Sequence, residues 1–219
     1  SMRAYASCVQ AGLARHAPGV ETEMLELAPR TASGKWGRRF ELAAQHWRAR
    51  RARGRAPDLW HVLDGSRAHV ARAFGDAPVV ITVHDVIPWL QDQGEFAGVP
   101  PLGAAARAVW NANGNAMRRA DALLCDSRAT ARDVQRAFRV ANDACHVVPL
   151  ALRPGIERRV ASLDTAPGRE ALVLHVGNNG FYKNRSGVLR VFAGLDAPTN
   201  ARLAMAGPRP TPGLLDDAR

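Results

Sequence analysis

The run Val79–Val83, VVITV, constrains the fold of this chain more than any other stretch of its sequence. It follows Pro78, it is rich in β-branched residues, and it does not alternate between polar and apolar side chains. Such a run predicts a strand that is buried on both faces, as strands are in parallel sheets. Parallel sheets occur in proteins that alternate strands with helices, so the rest of the chain is expected to alternate as well.

The flanking sequence has that alternation. Helical periodicity predicts helices at 3–15, 67–74, 104–119 and 129–138, and short apolar runs predict strands at 20–27, 58–63, 122–125 and 146–148. A polar, glycine-containing loop is expected at 91–103. The predicted fold class is therefore α/β, with a parallel, Rossmann-like sheet.

Polar residues directly follow two of these strands. His84 and Asp85 come after VVITV, and Asp126 and Ser127 come after the strand at 122–125. Ligands of open α/β sheets bind outside the carboxyl ends of the strands, so these side chains are expected on the ligand-binding rim. His84 could bond a sugar hydroxyl or move a proton, although a histidine that is satisfied in the cleft wall fits the pattern too. Helix capping also explains Asp126 and Ser127.

Residues 171–184, ALVLHVGNNGFYKN, predict a second strand, loop and helix corner. A buried apolar strand ends at Gly177, a loop of glycine and asparagine follows, and Lys183 precedes a helical pattern. Small residues let the backbone approach an anion, helix-terminal N–H groups point at it, and a lysine adds charge. Gly177, Asn178 and Lys183 therefore form a candidate phosphate site. A solvated first-turn lysine at an ordinary α/β turn is the competing interpretation.

A basic segment at 31–57 predicts an amphipathic helix. Its apolar residues, among them Phe40 and Ala43, fall on one stripe at the helical period, and arginines crowd the other positions. This pattern is typical of a helix at an anionic membrane surface. The residues expected to contact the membrane are Trp36, Trp47, Arg48, Arg50 and Arg51. Two alternatives stay open: a surface helix that packs its stripe on its own domain, and a nucleic-acid-binding segment.

The composition indicates an anionic partner, since the net charge is +10. Nucleic acid, a nucleotide, a phospholipid surface or an acidic saccharide would each satisfy it. No run approaches the ~18–20 apolar residues of a membrane span. Cys8, Cys125 and Cys145 lack the spacing of metal ligands and are expected to be small buried side chains in a reducing compartment. No metal site is predicted.

Five motifs, taken in order, resemble the group 1, or family 4, retaining glycosyltransferases of the GT-B fold. They are VVITVHDVIP at 79–88, ADALLCDSRATARDV at 120–134, HVVPLAL at 146–152, LHVGNNGFYKN at 174–184 and LAMAGP at 203–208. Each motif is weak by itself. Their shared order and spacing over nearly the whole chain carry the resemblance.

The resemblance implies two Rossmann-like domains around a cleft. The acceptor-side domain would span 1–152, a linker 153–169, and the beginning of a nucleotide-sugar-binding domain 170–219. It further implies that a sugar passes with retention from a nucleotide-sugar donor to a glycan or lipid-linked acceptor, in surface polysaccharide biosynthesis. No metal or other cofactor is expected. The expected location is cytoplasmic, peripheral at the inner face of the plasma membrane.

The resemblance also assigns roles to residues of the first domain. The family's histidine after the central strand falls on His84, which would contact the donor sugar near the reacting carbon. With its neighbour Asp85 it forms the predicted catalytic pair. Ser127 matches a position that lines the cleft, and Asp126 is expected beside it.

In the second domain, the family's glycine and lysine on the diphosphate fall on Gly177 and Lys183. The arginine that often precedes this lysine is Tyr182 here, and Asn178 stands where some members have a second arginine. A leaving nucleotide develops negative charge, so a site without metal needs fixed donors and a cation. Lys183, or another cation, is therefore expected to carry that charge.

Two departures from the family lead to a further expectation. The family begins with a strand and a glycine-rich loop before its first helix, and its second domain continues to a pair of glutamates that hold the donor. Neither is found here, so the chain is expected to be incomplete at both ends and inactive by itself. Two alternative functions stay open: a basic module that binds nucleic acid or anionic lipid, with nucleic acid the less favoured partner, and a GT-B nucleotide-sugar epimerase.

Overall fold

The computed structural model of the chain describes residues 2–27, 35–151, 156, 171–195 and 201–218, with the backbone alone for 35–40. The chain forms two compact units, Ser1–Arg158 (unit 1) and Arg159–Arg219 (unit 2). The predicted linker at 153–169 lies outside the described residues except at position 156. The domain limits at 152 and 170 stay predictions.

Unit 1 is built on a parallel sheet whose four strands lie in the order β1-β2-β3-β4. The strands are β1 (Trp60–Val62), β2 (Val79–Val83), β3 (Ala122–Cys125) and β4 (Cys145–Val147). The α-helices are α1 (Met2–His16), α2 (Lys35–Ala52), α3 (Ile87–Asp92), α4 (Ala104–Met117) and α5 (Arg128–Phe138). Short 3₁₀ helices span Arg53–Arg55, Gly65–Ala73 and Asn142–Ala144. The predicted α/β class with a parallel sheet is confirmed.

The central strands of this sheet are covered on both faces. Their fully buried side chains are Ile81, Thr82, Val83, Leu123 and Cys125. On one face the 3₁₀ helix Gly65–Ala73 and α4 pack closely, since a Cβ at Gly65 would lie 2.9 Å from Met117 Cε and 3.2 Å from a Val83 methyl. On the other face α1 brings the Tyr5 hydroxyl to 3.0 Å from Thr82 Oγ1. The run VVITV therefore has the double burial that its sequence predicts.

The predicted strand at 20–27 is wrong. This segment forms no regular secondary structure, and it belongs to neither sheet of the described residues. Leu25 and Leu27 pack against the core of unit 1, and Arg48 Nη1 donates a hydrogen bond to the Leu27 carbonyl at 2.8 Å. The apolar side chains of this segment thus pack on unit 1 without forming a strand. The Arg48 side chain bonds a backbone carbonyl that a neighbouring strand would otherwise bond.

Helix α2 turns a different face to unit 1 than its apolar stripe suggests. Gln45 and Ala49 are buried, whereas Ala43 is exposed and Trp47 has 57% of its surface exposed. The side chain of Trp36 lies outside the described residues. The alternative in which the stripe packs on its own domain is therefore wrong for Ala43 and Trp47.

Unit 2 contains a two-stranded parallel sheet. Its elements are β5 (Leu172–Val176), the 3₁₀ helix Phe181–Lys183, α6 (Arg185–Ala193), β6 (Arg202–Ala206) and α7 (Pro212–Asp217). The strand predicted at 172–176 is present, but its predicted burial is wrong, because Leu174 is 60% exposed. The two strands and two short helices of the described part of unit 2 leave Leu174 and Val176 of this sheet exposed.

None of the described helices in either unit is both long enough and apolar enough to cross a membrane.

Candidate functional site

The carboxyl edge of the unit 1 sheet brings His84 and Asp126 together. His84 follows β2 and Asp126 follows β3, and the parallel register that sets Val83 opposite Cys125 continues to them. Asp126 Oδ2 lies 2.8 Å from His84 Nδ1, and each side chain is 18% exposed. The pair therefore forms a largely buried hydrogen bond at the edge where ligands of α/β sheets bind.

Three other groups hold His84. Its Nε2 lies 3.1 Å from the Leu63 carbonyl, at the end of β1. The Tyr5 ring of α1 meets the imidazole edge to face, with ring centroids 4.9 Å apart and planes at 88°. The Thr130 hydroxyl of α5 donates to the His84 carbonyl at 3.1 Å. Elements from four parts of unit 1 thus fix both the ring and the backbone of this histidine.

A second polar group lies on the same face of the sheet, one pleat before His84. Thr82 Oγ1 is 2.8 Å from His61 Nε2 and 3.0 Å from the Tyr5 hydroxyl. Burial lowers the pKa of His61, which favours its neutral form. Thr82 and His84 share a face by the two-residue period of a strand, which is the one sequence signal that could have located this group. The position of Tyr5 has no sequence signal, because it depends on where α1 docks.

The other two polar residues at this edge bond to backbone. Ser127 Oγ accepts from the Thr130 amide at 3.1 Å, as a helix cap does. Asp85 is exposed, and its Oδ1 accepts from the Ile87 amide at 3.1 Å, at the start of α3. The aspartate that bonds the His84 ring is therefore Asp126, which the sequence assigned only to the cleft wall.

In unit 2 the structure brings Gly177 and Lys183 together. A Cβ at Gly177 would lie 3.1 Å from Lys183 Cγ and 3.1 Å from His175 Nε2. Glycine therefore leaves room for the lysine stem to cross the end of β5. Lys183 Nζ lies 5.4 Å from the centroid of the Tyr182 ring, so this ring supports the lysine as a cation–π partner.

Asn178 shapes the loop between these two residues. Its Oδ1 accepts from the Gly180 amide at 2.9 Å, and its Nδ2 donates to the Tyr182 hydroxyl at 3.2 Å. Gly207, after β6, has φ +151° and packs on the Gly177 carbonyl so closely that any Cβ would overlap it. The predicted phosphate corner is thus a closely packed loop, in which the Asn178 side chain forms hydrogen bonds within the loop.

Unit 2 holds a second cation near this loop, Arg185, which is not among the residues predicted from sequence. Arg185, the first residue of α6, is only 7% exposed. Its Nη1 donates to Asn179 Oδ1 at 2.5 Å and to the Pro208 carbonyl at 3.1 Å. It lines a pocket of about 160 Å³ together with Asn184, Ser186 and others. Both of these partners are neutral oxygens, so in the described part of the chain dipoles stabilise the guanidinium charge.

The described residues contain no group of three or more His, Cys, Asp or Glu side chains that could hold a metal ion. Cys125 is buried, while Cys8 and Cys145 are only partly buried, so the expectation of three buried cysteines is wrong for two of them. Burial raises the pKa of Cys125 to about 12 and also raises the pKa of Cys145. Both thiols are therefore neutral at physiological pH.

The outer face of α2 combines an aromatic ring with arginines. The Arg51 guanidinium carbon lies 4.7 Å from the centroid of the exposed Trp47 ring, and Arg50 is exposed beside them. Arg48 differs, since its guanidinium turns inward to the Leu27 carbonyl. Trp47, Arg50 and Arg51 therefore present the surface that the sequence predicts for membrane contact, whereas Arg48 serves the packing of unit 1.

The chain matches a known protein family. The family described as Glycosyltransferase Family 4 matches residues 11–154, well over half of the chain. No curated protein matches it. The matched residues include all four strands of the unit 1 sheet and the pair His84 and Asp126.

Proposed function

The chain belongs to glycosyltransferase family 4, and we propose that it serves the transfer of a sugar, with retention, from a nucleotide-sugar donor to a glycan or lipid-linked acceptor. The observation that carries this proposal is the fixed His84 ring at the carboxyl edge of the sheet, inside the matched residues. An N–H group held rigidly at such an edge can bond an oxygen of a bound sugar without reorganising during the reaction. Surface polysaccharide or lipid-linked glycan synthesis is the proposed process.

For the donor we propose the loop between β5 and α6. Breaking the bond between sugar and nucleotide leaves negative charge on the diphosphate, and a nearby cation stabilises that charge. Lys183, supported by the Tyr182 ring, is the first candidate. Arg185 is the second, because it lies at the N-terminus of α6, where backbone N–H groups also favour anions.

The test of the reaction uses the enzyme expressed in full from its gene. Radiolabelled nucleotide sugars and a lipid or glycan extract serve as substrates, and transfer of label to the acceptor is measured. His84→Ala should lower kcat about 10²-fold, the usual effect of removing one fixed donor from a transition state. His16→Ala, which changes an exposed histidine at the end of α1, is the matched control and should transfer at the wild-type rate.

Two results would contradict the proposal. Wild-type enzyme that transfers no sugar from any nucleotide sugar would remove the function. Full activity in His84→Ala, with His16→Ala equally active, would remove His84 from the site. The products separate the epimerase alternative, since an epimerase converts one nucleotide sugar into another without any acceptor.

The donor proposal is tested by titrating nucleoside diphosphates into the enzyme. Lys183→Gln and Arg185→Gln should each raise Kd about tenfold or more, because a hydrogen bond to a charged group contributes about 1.5–3 kcal/mol. Arg190→Gln, an exposed arginine later in α6, should leave Kd unchanged. A change in Kd confined to Lys183→Gln would show that Arg185 only braces the loops around Asn179 and Pro208.

We also propose that α2 binds an anionic membrane surface, which would place the acceptor and the enzyme at the same interface. The support is the exposed Trp47 ring with Arg51 stacked on it. A tryptophan at the surface suits the boundary between headgroups and acyl chains, and arginines beside it attract acidic headgroups. Arg50→Gln with Arg51→Gln should weaken binding to phosphatidylserine vesicles by about 1 kcal/mol for each charge removed.

Vesicle co-sedimentation measures the binding, and a charge-matched variant shows whether a loss of binding is specific to α2. Arg128→Gln with Arg132→Gln removes two exposed charges from α5 and should leave vesicle binding nearly unchanged. Trp47→Ala should weaken binding even at high salt, where electrostatic attraction is screened. Salt-steep binding to DNA or RNA that is lost with Arg50 and Arg51, without vesicle binding, would instead favour the nucleic-acid alternative.

A further inference from the structure

Both ring nitrogens of His84 face oxygens that can only accept a hydrogen bond. Nδ1 lies 2.8 Å from the Asp126 carboxylate, and Nε2 lies 3.1 Å from the Leu63 carbonyl. A neutral imidazole has one N–H and one lone pair, whereas the imidazolium has two N–H groups. A neutral ring beside an ionised Asp126 would therefore aim a lone pair at one of the two oxygens. Only the doubly protonated ring satisfies both.

We propose that Asp126 is a positioning residue that holds His84 doubly protonated, so that His84 acts on a ligand as a hydrogen-bond donor and not as a base. A base needs a free lone pair, and this geometry leaves none. A ligand oxygen that replaces the Leu63 carbonyl at Nε2 would receive the N–H. The identity of that ligand, a sugar or phosphate oxygen of the donor, rests on the proposed function; the protonation of the ring does not.

The surroundings of the ring support this assignment. Tyr5 from α1 contacts the ring by its edge, while its hydroxyl is engaged with Thr82. Thr130 from α5 bonds the His84 backbone rather than the ring. His61 from β1 lies on the far side of Thr82, and burial lowers its pKa, which favours its uncharged form. Among the described residues, the charged group bonded to the ring is thus Asp126.

The hydrogen bonds to Asp126 and Leu63 also restrict the ring to one orientation. If the ring flipped by half a turn about its bond to Cβ, carbon atoms would face both the Asp126 carboxylate and the Leu63 carbonyl, and two hydrogen bonds would be lost. A charged bond to a carboxylate is the stronger of the two. Asp126 is therefore the residue whose loss should change both the protonation and the orientation of His84, while Leu63 contributes through its backbone alone.

The experiment records nitrogen-15 spectra of histidine-labelled full chain at pH 7. The two ring nitrogens of an imidazolium have similar chemical shifts, whereas a neutral ring shows one protonated and one unprotonated nitrogen far apart. The His84 signals are assigned by their loss in His84→Gln. We expect similar shifts in the wild type, and separated shifts in Asp126→Asn, because the asparagine amide donates to Nδ1. Asp143→Asn, which removes an exposed carboxylate before β4, should leave the signals unchanged.

Widely separated shifts in the wild type would overturn the proposal, since the shared proton would then belong to Asp126 or the ring would be neutral. Unchanged shifts in Asp126→Asn would overturn it as well. Circular dichroism on each variant shows whether the fold is retained, and Asp126→Glu, which keeps the charge, should restore the similar shifts if Asp126→Asn is unfolded. A doubly protonated His84 in an enzyme that transfers no sugar would contradict the proposed function and leave this inference intact.

In the active enzyme, Asp126→Asn should lower kcat at least tenfold with little change in KM, because the histidine loses its fixed donor geometry. Asp126→Glu should recover part of the rate. An Asp126→Asn enzyme with altered KM but wild-type kcat would mean that the aspartate shapes the substrate site without acting through His84.

Discussion

Strand β2 of unit 1 and strand β5 of unit 2 have similar sequences and different surroundings. VVITV and LVLHV are both short, apolar and paired in parallel with their neighbours. Ile81 in the middle of β2 has no exposed surface, yet Leu174 in the middle of β5 is 60% exposed. The two strands therefore share a local structure but not a burial.

The difference arises from the number of neighbours. β2 lies between β1 and β3, with α1 against one face and the 3₁₀ helix Gly65–Ala73 with α4 against the other. β5 pairs with β6 alone in the described part of unit 2. An apolar run thus specifies that a segment can be a buried strand, while the elements around it decide whether it is buried.

The largest effect is expected from truncating the two central side chains. Ile81→Ala should lower the free energy of unfolding of unit 1 by about 2–5 kcal/mol, because it leaves a cavity in a fully packed core. Leu174→Ala should change unit 2 by only about 0.5 kcal/mol, since most of the side chain is already in water. All five tryptophans precede residue 111, so their fluorescence in urea reports on unit 1, and amide hydrogen exchange reports on unit 2.

The same two variants can contradict the difference in burial between β2 and β5. If Leu174→Ala slowed or sped exchange in unit 2 as strongly as Ile81→Ala affects unit 1, the exposed face of β5 would be covered in solution. The matched control is Val191→Ala on α6, where the side chain is similarly exposed and a small effect is expected for the same reason.

The fold of unit 1 was largely predictable because its strands and helices have strong, separate periodicities. β2 and β3 were located from apolar runs alone, and α5 from its cap at Ser127 and its amphipathic pattern. The structure of the segment at 20–27 was not predictable. Its apolar residues pack on the core without backbone pairing to another strand, and in sequence such residues have the same pattern as a strand. The face of α2 that docks on unit 1 was not predictable either, because nothing in the sequence marks the polar Gln45 as buried.

A smaller difference in stability is expected between alanine substitutions at two helix glycines, one in each unit. A Cβ at Gly114 in α4 would overlap the Phe138 ring, whereas a Cβ at Gly187 in α6 would overlap the side-chain amide of Asn184. Phe138 is buried and in contact with Trp89, with ring centroids 5.0 Å apart, so it cannot move freely. Gly114→Ala should therefore cost about 1–3 kcal/mol in unit 1, measured by urea unfolding.

Gly187→Ala should be nearly neutral. Asn184 is exposed and can rotate away, which loses its cap bond to the Gly187 amide and about 1 kcal/mol. Alanine gains about 1 kcal/mol over glycine within a helix, and the two effects offset each other. Hydrogen exchange measures the stability of unit 2 in this variant. A loss of several kcal/mol in the free energy of unfolding would show that this corner is as rigid as the core of unit 1.

The candidate site was predicted in part. His84 and Asp126 were both placed on the rim because each directly follows a strand, and the β2–β3 register that joins them needs only the order of the strands. The ring of His84 bonds Asp126 and not its sequence neighbour Asp85, because successive residues at a strand end point to opposite sides; the catalytic role of Asp85 stays a prediction. Tyr5 and Arg185 could not be found from sequence, since their positions depend on the docking of α1 and on the packing of two loops.

The smallest effect concerns how the two units hold their loops. In unit 1 the loop at 93–103 is tied by Asp92, which accepts from the Leu102 amide at 3.0 Å and from Arg107 Nε at 2.7 Å. In unit 2 the loop after β5 is tied by Asn178, which accepts from the Gly180 amide. A carboxylate titrates and an amide does not, so acid should release the first loop and spare the second.

The direction follows from the pKa of Asp92, which the hydrogen bond from Arg107 lowers below its ordinary value of 3.8. A lowered pKa means that the folded state favours the ionised form, so this stabilisation is complete above 3.8 and is lost as the pH falls through the lower folded value. As the pH falls, exchange of the Leu102 amide should therefore accelerate more than its intrinsic rate does. Exchange of the Gly180 amide should change with pH only as its intrinsic rate does. Asp92→Asn should remove the acid step at Leu102. A step of equal size at Gly180, or one that persists in Asp92→Asn, would show that acid opens both units by a common route and not through this carboxylate.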